Sequence, residues 1–395
     1  MNLLFDLIPT QTKKIGGVSE YIRSVFIAFK KYIKENHIPI IIYAFFDDTL
    51  GKCFYEDLKS KELIDDNVVV ISSKERDLEK IVEDYNIDKI FVGALQFWIG
   101  KYDFSRLNVP ITTVIHDMHN TEIQDLNLYA YLSLFKSPYF LLRQFAAKTV
   151  RKRSNSNAET FNLLSTLSGK KGWNCITVSN YTKFSLLYFY PFIKEESIKV
   201  LSSPERQLIS FSVYDNKKLE ALVNSGSKYF LLTSADRPEK NASNTIAAYT
   251  RFRSFASKRH KEIPFLVTIG QHNVSEDGII PLPFLSESDL VKAYQNCYAL
   301  IYPSFFEGFG YPPIEAMKYG KPVLASNVTS IPEVLGSSAI YFSPYYRADI
   351  FNALCYLNDK NYNSYVQKAK RRYEEINRQQ KVDLVRLLEL LSSPD

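Results

Sequence analysis

Residues 304–333 read SFFEGFGYPPIEAMKYGKPVLASNVTSIPE. Two carboxylates, Glu307 and Glu315, bracket seven residues that include two glycines and a Pro-Pro pair. Pro312-Pro313 prepares a helix start, because a proline at the first helical position gives up an amide that would lack a partner anyway. The spacing predicts a helix over 313–319, with Glu315 in its first turn, where the macrodipole favours an anion. Glu307 stands upstream on the loop, so the two acids converge from different elements. Gly308 and Gly310 let the backbone approach a ligand closely and present amides to its oxygens. A strand of small residues, Pro322 to Ser326, follows at once. Taken singly, Glu315 is as well explained as a cap of its helix and the glycines as a tight turn. Together they suit a polyhydroxylated, phosphate-bearing ligand.

On either side of this block, short apolar runs alternate with helical stretches. In the first half, strands are expected at 2–8, 39–45, 67–72, 89–93, 111–115 and 175–178. Helices are expected at 17–34, 75–85, about 126–167, and from Asn180 onward. Runs such as IPIIIYAF and VPITTVI are almost wholly apolar, as parallel strands covered on both faces require. The stretch Val200–Tyr214, with Ser202-Ser203-Pro204, reads as a linker. The pattern then restarts with strand 229–233, helix 241–257, strand 264–269, helix 287–296 and strand 298–302, which feeds the Glu307 loop. Strand 322–325 and a helical tail from Ala348 follow, the tail ending in an amphipathic segment from Val382 to Leu391. The expected fold class is α/β, with two Rossmann-like doubly wound domains facing across a cleft. The expected division is 1–205, 206–378 and a terminal helix over 379–395.

The 304–333 block resembles the C-terminal signature of the retaining family-four glycosyltransferases, which have the two-Rossmann-domain GT-B fold. The likeness runs through the EGFG loop, Ala316, Gly320, Pro322 and Pro332-Glu333. It implies a C-terminal domain that binds a nucleoside-diphosphate sugar and an N-terminal domain that binds the acceptor, with the last helix crossing back to the N-terminal domain. By this resemblance Glu307 and the amides of Gly308, Phe309, Gly310 and Tyr311 hold the donor sugar, and Glu315 holds the ribose hydroxyls. The S-x-x-EGFG…ASN…PE form resembles the mannosyltransferase-like members, which favours GDP-mannose, with UDP-hexoses next. The family's transfer is described as front-face attack in which the leaving phosphate accepts the proton. No paired-carboxylate acid/base set is then needed, and none is evident here.

Three further elements carry candidate chemistry. Gly16-Gly17 opens the helix after the first strand, at the edge where α/β sheets bind ligands. A glycine pair there is weak alone, and the resemblance places it near the donor phosphates and the acceptor. In TSADRPEKNAS, residues 233–243, Arg237 and Lys240 precede a helix for which Asn241 is a plausible N-cap. Two cations there suit a diphosphate clamp, although local pairing with Asp236 and Glu239 explains them equally well. The family has Gly-Arg where this chain has Ser234-Ala235, so Arg237 must substitute for a displaced arginine. His116, before Asp117 at the end of strand 111–115, is expected to be neutral and to hydrogen-bond a sugar hydroxyl; a structural histidine is the commoner case. Clustering with His119 raises a metal reading, set aside because no third ligand is suitably spaced and the resembled fold works without metal. No cofactor or metal is therefore expected beyond the donor itself. Gly270 closes strand 264–269, and by resemblance the backbone near 281–285 lies against the nucleobase.

At 395 residues, with 46% apolar and 23% charged side chains, the chain fits two ordinary globular domains rather than disorder. Its N-terminus, MNLLFDLIPTQ, reads as a core strand and not a signal. The four cysteines, at 53, 175, 297 and 355, show no C-x-x-C spacing and suit buried thiols in a reducing compartment. A cytoplasmic chain is expected. From Arg143 to Lys183 there are eight basic residues against the single acid Glu159, flanked by aromatics such as Tyr139 and Tyr188. The region 139–192 thus suits an anionic membrane surface on the inner face, or a lipid-pyrophosphate acceptor, as well as a plain solvated face. No nucleic-acid motif accompanies it. The reading that results is a metal-independent retaining hexosyltransferase acting on a lipid-linked glycan or surface polysaccharide. The alternatives are a non-catalytic nucleotide-sugar-binding partner of an active transferase, suggested by Ser234-Ala235, and a two-Rossmann epimerase or phosphorylase.

Overall fold

The computed structural model describes the chain through residue 394, apart from 12–15, 51–63, 73–76, 126–151, 207–212, 260–261 and 272–275. It divides into two compact units, Met1–Arg206 with Gln379–Asp395, and Gln207–Arg378. Each is built on its own parallel sheet.

The first unit has seven strands: β1 (Asn2–Asp6), β2 (Ile41–Phe46), β3 (Val68–Ser72), β4 (Lys89–Val92), β5 (Ile111–Ile115), β6 (Trp173–Thr177) and β7 (Ile198–Val200). Their order is β3-β2-β1-β4-β5-β6-β7, every pair parallel. The central strands β1, β4, β5 and β6 are almost wholly buried, as parallel strands covered by helices require, whereas Val69 and Val70 on the edge strand β3 are exposed. Among these helices are α1 (Gly17–Glu35), α2 (Leu78–Asp84), α3 (His119–Asp125), α4 (Lys152–Ser168) and α5 (Asn180–Phe189). Strand order reverses between β1 and β4, which makes a crevice at the carboxyl ends of these strands.

In the second unit the strands are β8 (Tyr229–Leu232), β9 (Phe265–Ile269), β10 (Ile279–Leu282), β11 (Ala299–Tyr302), β12 (Val323–Ser326) and β13 (Ile340–Phe342). Their order is β10-β9-β8-β11-β12-β13, again all parallel. The reversal here falls between β8 and β11. The helices are α6 (Lys217–Asn224), α7 (Ala242–Ser257), α8 (Glu287–Asn296), α9 (Tyr311–Lys318), α10 (Ile331–Leu335) and α11 (Arg347–Tyr356). A last helix, α12 (Tyr362–Ser392), begins in this unit and ends in the first.

Several elements differ from the sequence reading. Strands β7, β10 and β13 were not anticipated; each has three or four residues, too few to show a period. Strand β10 also contains Pro281, which lacks a ladder donor and is tolerated because β10 lies at the sheet edge. The stretch expected to begin as linker at Val200 still belongs to β7 there. The helical tail is broken after Tyr356, whose carbonyl accepts from both the Asn358 and Asn361 amides. Most important, α9 starts at Tyr311, two residues before the expected position, so Glu315 lies in its second turn rather than its first. Of the helix expected over 126–167, residues 126–151 lie outside the described residues.

One buried cation ties the terminal segment to the first sheet. Lys89, wholly buried on β4, donates to the carbonyls of Leu390 and Ser393 at 2.8 and 2.7 Å. Those are orphan acceptors at the end of α12, where a cation is favoured by the helix dipole. Among the described residues, no helix is long and apolar enough to cross a membrane.

Candidate active site

Two loops leave the second sheet where its strand order reverses, one after β8 and one after β11. The β8 loop turns twice through left-handed backbone, at Ser234 (φ 54°) and Asn241 (φ 56°). Asn241 stands at the start of α7 but makes no side-chain cap; its amide donates instead to the Pro344 carbonyl at 2.8 Å. The turns carry Lys240 inward, where it is buried and its Nζ pairs with Glu307 Oε1 on the neighbouring loop. The Phe305 amide donates to the Glu239 carbonyl at 2.9 Å, which fastens the two loops together.

Glu307 is held from its other side as well. Its amide donates to Thr329 Oγ1 at 3.2 Å, and its carbonyl accepts from Ser330 Oγ at 2.8 Å. Burial pushes its carboxyl pKa up, but Lys240 and the hydroxyls of Tyr302 and Ser304 outweigh that and leave it below the usual range. Glu307 is therefore an ionised, largely buried, oriented acceptor. Gly310 adopts φ +91° and caps α9, which no side chain does there. The loop amides thus run into a helix N-terminus, a natural anion site. Glu315, one turn further, is buried.

Arg237 is placed differently. Its guanidinium pairs with Glu239 Oε1 at 2.6 Å and is about half exposed. Of the two cations of the expected clamp, only Lys240 meets Glu307; Arg237 takes the local pairing. Gly270 (φ +95°) lies where the ends of β9 and β10 meet, its amide bonded to the Leu282 carbonyl at 2.9 Å. A Cβ there would stand 2.9 Å from Asp236 Oδ1 and 3.3 Å from the Phe284 ring, so glycine is what lets these groups close in. Phe284 keeps 53% of its surface exposed.

The remaining candidates belong to the first unit. His116 is buried at the end of β5, with Nε2 2.9 Å from the Gly93 carbonyl and its ring edge-on to Tyr21 at 4.8 Å. A carbonyl can only accept, so Nε2 carries the proton and Nδ1 is left as an acceptor. Burial depresses its pKa against the opposing pull of Gly93 and Asp117, so the ring is neutral. Gly16 and Gly17 open α1 with extended backbone at Gly16, and a Cβ on Gly16 would meet nothing within 4 Å. Neither conformation nor crowding requires glycine at Gly16. Of the basic region 139–192, residues 139–151 lie outside the described residues. Within the rest, Lys170 holds the Ser105 and Leu107 carbonyls and Lys183 pairs with Glu195 at 2.7 Å. Phe184 and Tyr188 are prominently exposed on α5. Among the described residues, no group of three or more His, Cys, Asp or Glu is placed to hold a metal ion.

Four neighbours of the pair were given no role in the sequence reading: Tyr302, Ser304, Thr329 and Ser330, Ser304 entering it only as the first residue of S-x-x-EGFG. Tyr302 and Ser304 carried a usable signal. Two hydroxyls spaced by two at a strand's carboxyl end share a face.

Comparison with known proteins bears out the resemblance read from residues 304–333. Residues 214–372 match the family model described as glycosyl transferases group 1. The chain is 27% identical over 390 residues to the serotype-specific mannosyltransferase WbdA of Escherichia coli, covering 89% of this chain and 43% of that protein. It is 30% identical over 193 residues to the O-antigen chain mannosyltransferase RfbU of Salmonella typhimurium, covering 47% of this chain and 50% of RfbU. The chain thus spans about half or less of the length of these curated relatives. Among solved structures, Anabaena HepE in complex with UDP and glucose superposes with a TM-score of 0.64 at 16% identity, covering 98% of this chain and 100% of HepE. WaaG, a glycosyltransferase involved in lipopolysaccharide biosynthesis, superposes at 0.60 with 11% identity, covering 97% and 98% of the two chains. The fold is that of the GT-B glycosyltransferases.

Proposed function

We propose, from the premise that residues 214–372 are a glycosyl transferases group 1 domain within a GT-B chain, that the protein is a retaining hexosyltransferase using a nucleoside-diphosphate sugar. The observation that carries this reading is the largely buried Lys240–Glu307 pair beside the glycine loop that opens a helix. A buried pair of this kind adds little to stability, because desolvation offsets its attraction. It makes better sense as a prepared polar site.

Lys240 has three N–H donors and gives one to Glu307, so others can meet a diphosphate. The amides of Gly308 to Tyr311 face the same negative charge. Glu307 accepts from a hydroxyl of the donor sugar and Glu315 from the ribose; in the first unit, His116 Nδ1 is an acceptor suited to a sugar hydroxyl. As the bond from the anomeric carbon to the phosphate oxygen breaks, charge grows on the diphosphate, and Lys240 stabilises it most at that stage. The acceptor hydroxyl forms the new glycosidic bond on the same face and its proton passes to the leaving phosphate. Protein groups act by position and charge. Arg237 joins this set only by leaving Glu239. Phe284, exposed beside Gly270, offers a ring to the base.

GDP-mannose is the favoured donor and UDP-hexoses come next. WbdA and RfbU are both described as mannosyltransferases; HepE was solved with UDP and glucose. The O-antigen relative favours a lipid-linked glycan or surface polysaccharide as acceptor, with the basic region 139–192 and the exposed Phe184 and Tyr188 toward an anionic surface. Thermal-shift screening against nucleotide-sugars tests the donor. A ligand at 100 times its Kd stabilises by about 2.7 kcal/mol. GDP-mannose is expected to give the largest shift. A panel in which no nucleotide-sugar stabilises the chain overturns the reading.

A further inference from the structure

Asn241 stands where glycine is the default residue. Its backbone is left-handed, with φ 56° and ψ 33°, a conformation that strains most side chains and that glycine adopts freely. Its main-chain groups are both engaged. The backbone amide donates to the Pro238 carbonyl at 3.0 Å, closing the 3-10 turn Pro238–Lys240. The carbonyl accepts from the Thr245 amide and hydroxyl at the start of α7. Glycine could do all of this. What glycine lacks is the side-chain amide, which is buried and reaches across 103 positions to the Pro344 carbonyl at 2.8 Å.

Pro344 lies in the loop from β13 to α11. The next residue, Tyr345, stacks on Phe305 with ring centroids 5.5 Å apart and planes at 27°. Asn241 directly follows Lys240, and Phe305 lies two residues before Glu307. The step Pro344-Tyr345 therefore touches the chain beside each partner of the ion pair. The Phe305 amide on the Glu239 carbonyl completes a closed ring of contacts among the loops after β8, β11 and β13. Arg347 Nε, donating to Asn244 Oδ1 at 3.1 Å, adds a second tie between the starts of α11 and α7. A lysine ammonium rides on a flexible four-carbon stem, so its aim depends on how firmly the backbone beneath it is held.

We propose that Asn241 is a positioning residue for the donor site, its side-chain amide bracing the Lys240 turn against the Pro344 carbonyl so that the ammonium meets Glu307 and a donor diphosphate in one fixed place. This rests on the reading of the Lys240–Glu307 pair as part of that site. Bracing matters there because a misplacement of about 1 Å can cost about 100-fold in rate.

The test is Asn241→Gly, which keeps the left-handed turn and removes only the amide. Asn241→Asp, of the same size, sets an acceptor against the Pro344 carbonyl and carries the test should Asn241→Gly fail to fold. Protein labelled with nitrogen-15 in its lysines is followed by NMR, the Lys240 ammonium signal being the one lost in Lys240→Met with Glu307→Gln. In both Asn241 variants this signal should move and broaden well below the melting transition. There kcat should fall by about tenfold or more, with a smaller change in donor KM, since Lys240 acts most on the charge that grows as the bond to phosphate breaks. A purely structural role would lower the thermal midpoint and leave the Lys240 signal and kcat at their wild-type values. That outcome overturns the proposal. The donor-site reading fails separately, if Lys240→Met retains wild-type turnover, and the NMR signal decides the Asn241 question either way.

Discussion

At the scale of single residues, the central feature is a charge pair that neither partner can leave alone. Lys240 and Glu307 are each nearly buried, at 11% and 12% side-chain exposure. Removing one partner of such a pair costs about 3–5 kcal/mol, since the other is left charged and unsolvated. Lys240→Met should therefore lower the melting temperature markedly, and Lys240→Met with Glu307→Gln should recover most of it without restoring donor binding. That split, read by calorimetry and nucleotide titration, separates the fold from the function. Glu307 was legible in the sequence from its motif, and Lys240 from its place before a helix. Their pairing across 67 positions was not, because it depends on left-handed turns at Ser234 and Asn241, where the chain has no glycine to announce them. Asp6 escaped notice altogether. Burial, against the opposing Ile8 amide, Trp98 and Lys101, raises its pKa from 3.8 to about 7. A raised folded-state value means that the fold binds the proton more tightly than the unfolded chain. Its stabilising contribution is full below about pH 4, declines as pH rises toward 7, and is lost above it. Amide exchange of β1 should accordingly quicken between pH 5 and 8 beyond the intrinsic base catalysis, and Asp6→Asn should abolish that excess.

Among the elements, the strands were the most legible part of the chain, because strands buried on both faces write themselves as apolar runs. Strand β4 is the instructive exception. Its first residue is Lys89, which a pattern reading counts as a strand end in solvent, yet it is wholly buried against the end of α12. The acceptors lie 301 and 304 positions away, so nothing local reveals them. Lys89→Met keeps the volume but leaves the Leu390 and Ser393 carbonyls unpaired, at about 1–3 kcal/mol each. Hydrogen exchange over residues 384–393 should then rise sharply while that of β9 and β11 stays as in the wild type. Unchanged protection of the terminal turn would show that the lysine is not its anchor. The start of α9 was misplaced for a related reason. Pro312-Pro313 suggested the first turn, whereas Gly310, with its positive φ, caps the helix before Tyr311. Glu315 consequently stands deeper along α9 than a capping residue would, in a buried position that suits a ligand group better than a cap.

For the whole molecule, the two-sheet architecture followed from two successive alternations of strand and helix, and superposition on HepE over 98% of the chain supports it. The family resemblance was legible because it resides in a contiguous block, residues 304–333, whereas the backbone turns around Gly270 and the β10 edge were not. The most direct test of the account follows the anomeric proton of the sugar by NMR during transfer from the best-stabilising nucleotide-sugar to a mannose-terminated glycan, in the presence of EDTA. The account predicts a new glycosidic signal with the donor's anomeric configuration, produced by the wild type and absent with Glu307→Gln. An inverted product, transfer that stops in EDTA and resumes with Mg²⁺, or undiminished transfer by Glu307→Gln would contradict it.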